Sequence, residues 1–293
     1  MKILITGANG MLAKEVKERF SEGNELILTD VAELDITNKE AVKKFVKENN
    51  PEYIINCAAF TAVDKAEECF DLAEKINGDG PTNLAIAAKE NGAKLVHIST
   101  DYVFGGDLSL DKDYKEDDKK NPVTAYGITK LHGEQGIEQN MDEYYIFRTA
   151  WLYGLGGNNF VKTMTKLGQT RDEINVVADQ HGSPTYAKDL AEFVYQAVVK
   201  KIPYGIYNAT NDGYTTWYDF TQEILAKQSI QCKVNPVTTD EYIEMMKITQ
   251  AKRPFNSQMS KEKLKQAGIN VPEWKEALTR YLEETKQIDN EEK

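Results

Sequence analysis

The sequence predicts an α/β protein built on a Rossmann-type doubly wound parallel sheet, followed by a smaller mixed α/β C-terminal lobe. Three observations lead there. Short, wholly apolar runs alternate with helical periodicity through the first 150 residues, as expected of strands buried on both faces of a parallel sheet. The first run opens directly onto a glycine turn and a helix, and an acidic residue ends the next strand, all within about thirty residues. Beyond residue 150 the pattern turns irregular, with glycines at 154, 156 and 157 and short strands set among helices.

Taken in order, Lys2-Ile3-Leu4-Ile5 is the first strand and a helical pattern runs through Val16 and Phe20. Glu25–Thr29 is the second strand, ending on Asp30, and Asp35-Ile36-Thr37 leads into a helix over 38–48. Pro51 breaks the chain before a third strand, Tyr53–Ala59. A single helix is predicted over 66–90, closed by Asn91-Gly92, and then a strand at Lys94–Ile98. Asp111–Lys120 is a mixed charge run, expected to be a solvated loop near the mouth of the site or a mobile lid. Thr124–Lys130 opens a further helix, and Tyr144–Phe147 is another strand. The second half reads as helix 159–168, strand 174–177, helix 187–201, strand 205–209, and helices at 216–228, 239–250, 260–267 and 273–286, with a loose end over 287–293. We divide the chain into a dinucleotide-binding domain at 1–150, to which about 170–205 return, and a second lobe at 151–293.

Bulk properties exclude several classes. The 293 residues carry a formal net charge of −11, which argues against a nucleic-acid surface. No apolar run reaches the roughly 20 residues needed to span a bilayer, and the first strand leaves no room for a signal-peptide layout. Cys57, Cys69 and Cys232 fit neither a disulfide framework nor a metal pattern, and His97, His132 and His181 form no ligand set. A cytoplasmic protein without a metal centre or a membrane partner is expected.

The chemistry lies at the strand ends. Gly7 permits a tight turn and Gly10 lets backbone N–H groups approach a pyrophosphate at the helix N-terminus, with Ala13 in the third position of the fingerprint. The carboxylate of Asp30 suits an adenosine ribose and opposes a 2′-phosphate, which favours NADH over NADPH. Small Ala58 and Ala59 leave room for a flat ring or serve helix–sheet packing equally well. Tyr126 and Lys130, four residues apart, share a helix face. A neighbouring cation is expected to favour the phenolate and make that phenol a usable acid near neutral pH.

With Thr6-Gly7-x-x-Gly10-x-x-Ala13, Asn56–Ala59, Ser99–Phe104 and Tyr126-x-x-x-Lys130, the chain resembles the extended short-chain dehydrogenase/reductase superfamily. More narrowly, it is similar to the dTDP-4-dehydrorhamnose reductase family through Ala58–Glu67, Arg148–Gly154, Gly157–Met164, Asp179–Thr185, Thr215–Tyr218 and Ala251–Ser257. The resemblance implies reduction of a C4 keto group on a dTDP-sugar by NADH or NADPH. Catalysis falls to Thr100, which orients the carbonyl, to Tyr126, the proton donor, and to Lys130, which holds the nicotinamide ribose. Cofactor contacts are expected from Gly7, Asn9, Gly10, Met11, Asp30, Asp35, Ile36, Ala58, Ala59, Tyr126 and Lys130. Substrate contacts are expected from Thr61, Val63, Thr100, Tyr126, Trp151, Asn159 and Arg253, the last suited to a diphosphate. Asn77 matches a helix asparagine that supports a proton-relay water in some members. Relatives that bind magnesium at a dimer contact use carboxylates; Glu15 matches one, but Lys188 stands where another is needed, so no metal is expected. A homodimer, another nucleotide-sugar epimerase or dehydratase, and a non-catalytic regulatory subunit of this fold all remain open at this stage.

Overall fold

The computed structural model describes residues 1–291. Its first half alternates β1 (Lys2–Thr6), α1 (Met11–Phe20), β2 (Glu25–Thr29), α2 (Lys39–Asn49) and β3 (Tyr53–Asn56). The helical stretch that follows divides into α3 (Val63–Glu68), α4 (Phe70–Glu74), a π-helical turn (Lys75–Asp79) and α5 (Gly80–Glu90). Then come β4 (Lys94–Thr100), a 3₁₀ turn at Asp101–Val103, α6 (Ala125–Asn140) and β5 (Tyr144–Thr149). The single helix expected over 66–90 is therefore broken. Pro81 supplies no N–H to the turn before it, and the widened π turn carries Asn77 into the interior, where its amide bonds both backbone groups of Phe60.

The second half contributes β6 (Leu152–Tyr153), α7 (Phe160–Thr170), β7 (Glu173–Val177), β8 (His181–Gly182), β9 (Thr185–Tyr186), α8 (Ala187–Lys200) and β10 (Gly205–Asn208). It closes with β11 (Thr215–Thr216), α9 (Trp217–Lys227), β12 (Lys233–Val237), α10 (Thr239–Met246), α11 (Glu262–Gln266) and α12 (Trp274–Glu291). The helix α12 runs through 287–291, where a loose end was expected, while 292–293 lie outside the described residues. The strand β12, which carries Pro236, has no counterpart in the sequence reading; it pairs in parallel with β7 and leaves proline at a two-stranded edge.

Six parallel strands form the main sheet in the order β10-β5-β4-β3-β1-β2. Chain direction across the sheet reverses between β1 and β3, so a crevice opens beyond their carboxyl ends. One face is packed by α1 and α8 over Ile3, Ile5, Val16, Phe147 and Leu190. The other is packed by α2, α5 and α6 over Leu4, Ile54, Leu84, Leu95 and Ile146. A separate core of Tyr153, Val161, Ile174, Phe220, Trp274 and Leu278 holds the C-terminal elements together and forms the second wall of the crevice.

Candidate active site

The turn after β1 is built for close approach. Gly7 has φ +66°, and a Cβ there would come within 2.7 Å of the Ala58 backbone, so the two strand ends can touch only with glycine at this position. Ala8 N–H donates to Thr29 O (3.0 Å), Gly10 N–H to Gly7 O (3.0 Å) and Asn9 N–H to Asp30 Oδ2 (3.1 Å). The Asp30 carboxylate is thereby fixed beside the start of α1, with its other oxygen accepting from Val31 N–H at 2.8 Å. Gly10 offers no side-chain cap to α1, and the first turn carries no acid. An uncapped positive helix end beside a ribose-height carboxylate fits an anionic dinucleotide.

At the other end of the crevice, Thr124 caps α6 by accepting from Gly127 N–H (3.0 Å), which places Tyr126 in the first turn and Lys130 one turn on. A Cβ on Gly127 would strike the Tyr102 carbonyl, so glycine lets α6 press against the loop after β4. Thr100, the last residue of β4, donates to Asp101 Oδ1 (3.0 Å) and accepts from Tyr102 N–H (3.2 Å), and its hydroxyl acts on the Tyr126 phenol. Beneath them, buried Arg148 on β5 grips buried Glu134 on α6 through Nε (2.9 Å) and Nη2 (2.6 Å). Ser99 donates to the same carboxylate. This pair anchors α6 to the sheet, at positions where a lone charge would be costly.

The electrostatics differ from expectation at one point. Burial raises the Tyr126 phenol above its ordinary value of 10; Thr100 opposes the shift, Asp101 and Tyr102 add to it, and Lys130 is not among the acting groups. The Lys130 nitrogen is directed away from that phenol, donating to Ile98 O at 2.6 Å and facing His97 Nε2 at 3.3 Å. The expectation that lysine makes the phenol acidic is thus not met in the chain alone. Burial pushes Lys130 itself down to about 8, opposed by Glu134 and Cys57. Burial also carries Asp101 up to about 6, against hydrogen bonds from Ser257 and Thr100.

One cavity of about 1090 Å³ joins both ends. It is lined by the expected Gly7, Gly10, Met11, Asp30, Asp35, Ile36, Ala58, Ala59, Thr61, Val63, Thr100, Tyr126, Lys130, Trp151 and Arg253. Two expected residues are not brought to it. Asn159 spends its side chain on the start of α7, accepting from Lys162 N–H (3.0 Å) and donating to Gly154 O (2.7 Å). Asn9 contributes its backbone N–H to Asp30 rather than a side chain to the wall. Asn77 is also committed, to Phe60 and to Thr129 Oγ1 (3.2 Å).

The family model described as the RmlD substrate binding domain matches residues 1–287. A relative from Bacillus subtilis, the spore coat polysaccharide biosynthesis protein SpsK, is 41% identical, with 97% of each chain covered. A dTDP-4-dehydrorhamnose reductase structure from Clostridium acetobutylicum superposes with a TM-score of 0.91 at 49% identity, over 97% of this chain and 99% of that one. Another reductase of that name, from Bacillus anthracis and solved in complex with NADP, gives 0.91 at 42% identity over the same shares. The chain belongs to the RmlD substrate-binding-domain family. It is an oxidoreductase of the dTDP-4-dehydrorhamnose reductase type.

In this RmlD-family chain the sequence reading missed much of the second wall. Trp217 stacks on Trp151 with centroids 3.7 Å apart, Phe160 leans on Trp217 at 4.4 Å, and Gln180 accepts from Trp217 Nε1–H at 3.1 Å. All four line the cavity. Trp151 takes φ +49°, an unusual conformation for a bulky residue, which turns its ring onto Trp217. Arg253 forms an ion pair with Asp64 (2.7 Å) and approaches the Tyr102 hydroxyl (3.4 Å). The charge run at 111–120 supplies no cavity residue; Tyr114 N–H donates to Gln258 O (2.8 Å), and its ring stacks on Phe104. Lys188 pairs with Glu284 at 2.8 Å beside buried Glu15, whose carboxyl is raised chiefly by burial.

Proposed function

We propose that this chain reduces the C4 keto group of dTDP-4-dehydro-L-rhamnose to dTDP-L-rhamnose with NADH or NADPH, in the cytoplasm. The observation that carries the reading is the single cavity lined at one end by the Gly7–Ala13 turn and Asp30 and at the other by Thr100, Tyr126 and Lys130. When bound, the nicotinamide supplies the hydride. The chain's own part is to hold the sugar carbonyl against the Thr100 hydroxyl and to deliver the Tyr126 proton to the C4 oxygen. A phenol raised by burial is fully protonated at neutral pH, which is the form a proton donor in a reduction must have. In this reading Lys130, which lines the cavity, holds the nicotinamide ribose, and Arg253 exchanges its Asp64 partner for the diphosphate.

We assign the dinucleotide to the 1–150 domain with its returning segments, and the sugar nucleotide to the lobe from 151. The Asp30 carboxylate gives NADH the advantage, with NADPH accepted less well; the neighbour solved with NADP is a different chain. The test is to add dTDP-4-dehydro-L-rhamnose to the protein with each cofactor and follow nicotinamide absorbance and sugar product. Net oxidation of cofactor with formation of dTDP-L-rhamnose is expected. Conversion of the sugar without net oxidation would make the protein an epimerase or dehydratase instead.

A further inference from the structure

Beneath the cavity, four side chains form a hydrogen-bonded series whose polarity can be followed from one end to the other. Thr6, Asn56, His97 and Lys130 are all buried, none more than 1% exposed. Asn56 Oδ1 accepts from Thr6 Oγ1 (2.7 Å) and from Ala58 N–H (3.1 Å). With its oxygen so held, the Asn56 amide turns an N–H toward Nδ1 of His97, 3.0 Å away. An accepting Nδ1 leaves the single proton of a neutral imidazole on Nε2. That nitrogen lies 3.3 Å from Lys130 Nζ, which also donates to Ile98 O at 2.6 Å.

Two N–H groups cannot satisfy one another. The His97 Nε2–H bonds Lys130 only where Nζ offers a lone pair, and an ammonium has none. Protonating the imidazole does not resolve this, because it would put a second N–H against Asn56 as well, and burial holds His97 well below its ordinary 6.5. The other titratable groups around Lys130 are Cys57 at the end of β3 and Glu134 and Tyr126 on α6. The Cys57 thiol is pushed up to about 12 by burial and is neutral, and Glu134 is engaged by Arg148.

We propose that His97, held as its Nε2–H tautomer by Asn56, is a positioning residue that favours the uncharged amine of Lys130 over the ammonium. It thereby lowers the proton affinity of this lysine. The inference rests on the reading of Lys130 as a cofactor-side residue only for its functional meaning, since the hydrogen-bond polarity stands without it.

The experiment is NMR of the full chain without nucleotide or sugar, using ¹⁵N-histidine and ¹³Cε-lysine labels, with Lys130→Arg to identify the lysine signal. His97 is expected as a neutral Nε2–H imidazole across roughly pH 5–9. His97→Asn keeps an acceptor for Asn56 and removes the N–H facing Lys130; the lysine titration should then move up by at least about one pH unit, tenfold in proton affinity. His97→Gln can turn an amide oxygen to Lys130 and should move it the same way, which keeps the test decisive if the first variant fails to fold. A purely structural histidine would lower stability and leave that titration where it was. An Nδ1–H tautomer, an imidazolium within that range, or an unmoved lysine in the folded variants would overturn the proposal. Because no substrate is involved, failure here leaves the reductase reading intact, and failure of that reading leaves this result unaffected.

Discussion

The two walls of the crevice are built in opposite ways. The wall formed by β1, β4 and α6 is drawn from strand ends and one helix start, and its polar groups are tied together: Thr100 to Asp101, Arg148 to Glu134, Lys130 to Ile98 O and His97. The facing wall is assembled from segments between 151 and 257, and its character is aromatic, with Trp151 stacked on Trp217 and Phe160 tilted against Trp217. The walls meet where Ser257 Oγ donates to Asp101, Arg253 pairs with Asp64, and Ala251 N–H donates to the same Asp64 carboxylate. In the proposed reaction the first wall fixes the proton and the hydride path, and the second grips the sugar that is reduced. Chemistry should therefore be lost by changes on one side and affinity by changes on the other.

The largest effect expected is from Tyr126→Phe, which removes the proposed proton donor and keeps the ring. Turnover should fall by about 10²–10⁴ while cofactor affinity, measured by titration of the chain alone, stays nearly unchanged. Unchanged turnover would remove this phenol from the mechanism and dissolve the contrast between the walls.

Next is the bridge between them. Asp101, carried up to about 6 from an ordinary 3.8, binds its proton more tightly folded than unfolded. Its contribution to stability is present below about pH 4 and is lost as the pH rises through 6, about 3 kcal/mol for a two-unit shift. Denaturant unfolding at pH 4.5 and 7 should show Asp101→Asn flattening this part of the pH dependence. An identical slope in the variant would mean that the carboxyl is better hydrated than its surroundings indicate.

On the gripping side, Arg253→Leu should weaken sugar-nucleotide binding by about 10- to 100-fold, the loss of a charge-assisted contact of about 1.5–3 kcal/mol, with turnover of bound substrate affected much less. Arg253→Lys should restore this only in part, because an ammonium lacks the planar fork. A fall in turnover with unchanged affinity would place Arg253 with the chemistry instead. The smallest effect expected is on cofactor choice: Asp30→Ser should shift the NADPH to NADH ratio of kcat/KM toward NADPH by roughly tenfold, one lost repulsion at a partly solvated site.

The same contrast governs what could be read from the sequence. The first wall follows local rules: glycine where two backbones touch, an acid at a strand end, threonine capping the helix that carries Tyr126 and Lys130. Each rule acts within a few residues, so the convergence of Gly7, Asp30, Thr100, Tyr126 and Lys130 on one cavity was legible. The six-stranded parallel sheet followed for the same reason. The second wall depends on contacts between distant segments. Nothing near Trp217 indicates that it will meet Trp151, and Gln180 has a role only once α9 is in place. Asn159 shows the converse error, a residue matched to a ligand whose amide is consumed by helix capping. Lys130 shows a subtler one. Its spacing from Tyr126 puts both on one helix face, but the direction of its nitrogen is decided by Ile98 and His97 on the neighbouring strand, which helix periodicity does not report.

One-way transfer from nicotinamide to sugar is tested most directly by following a label. With cofactor carrying deuterium at both C4 positions of the nicotinamide and dTDP-4-dehydro-L-rhamnose as acceptor, one deuterium should appear at C4 of the sugar for each cofactor oxidised. Sugar converted without deuterium at C4, or with the cofactor returned unoxidised, would contradict it.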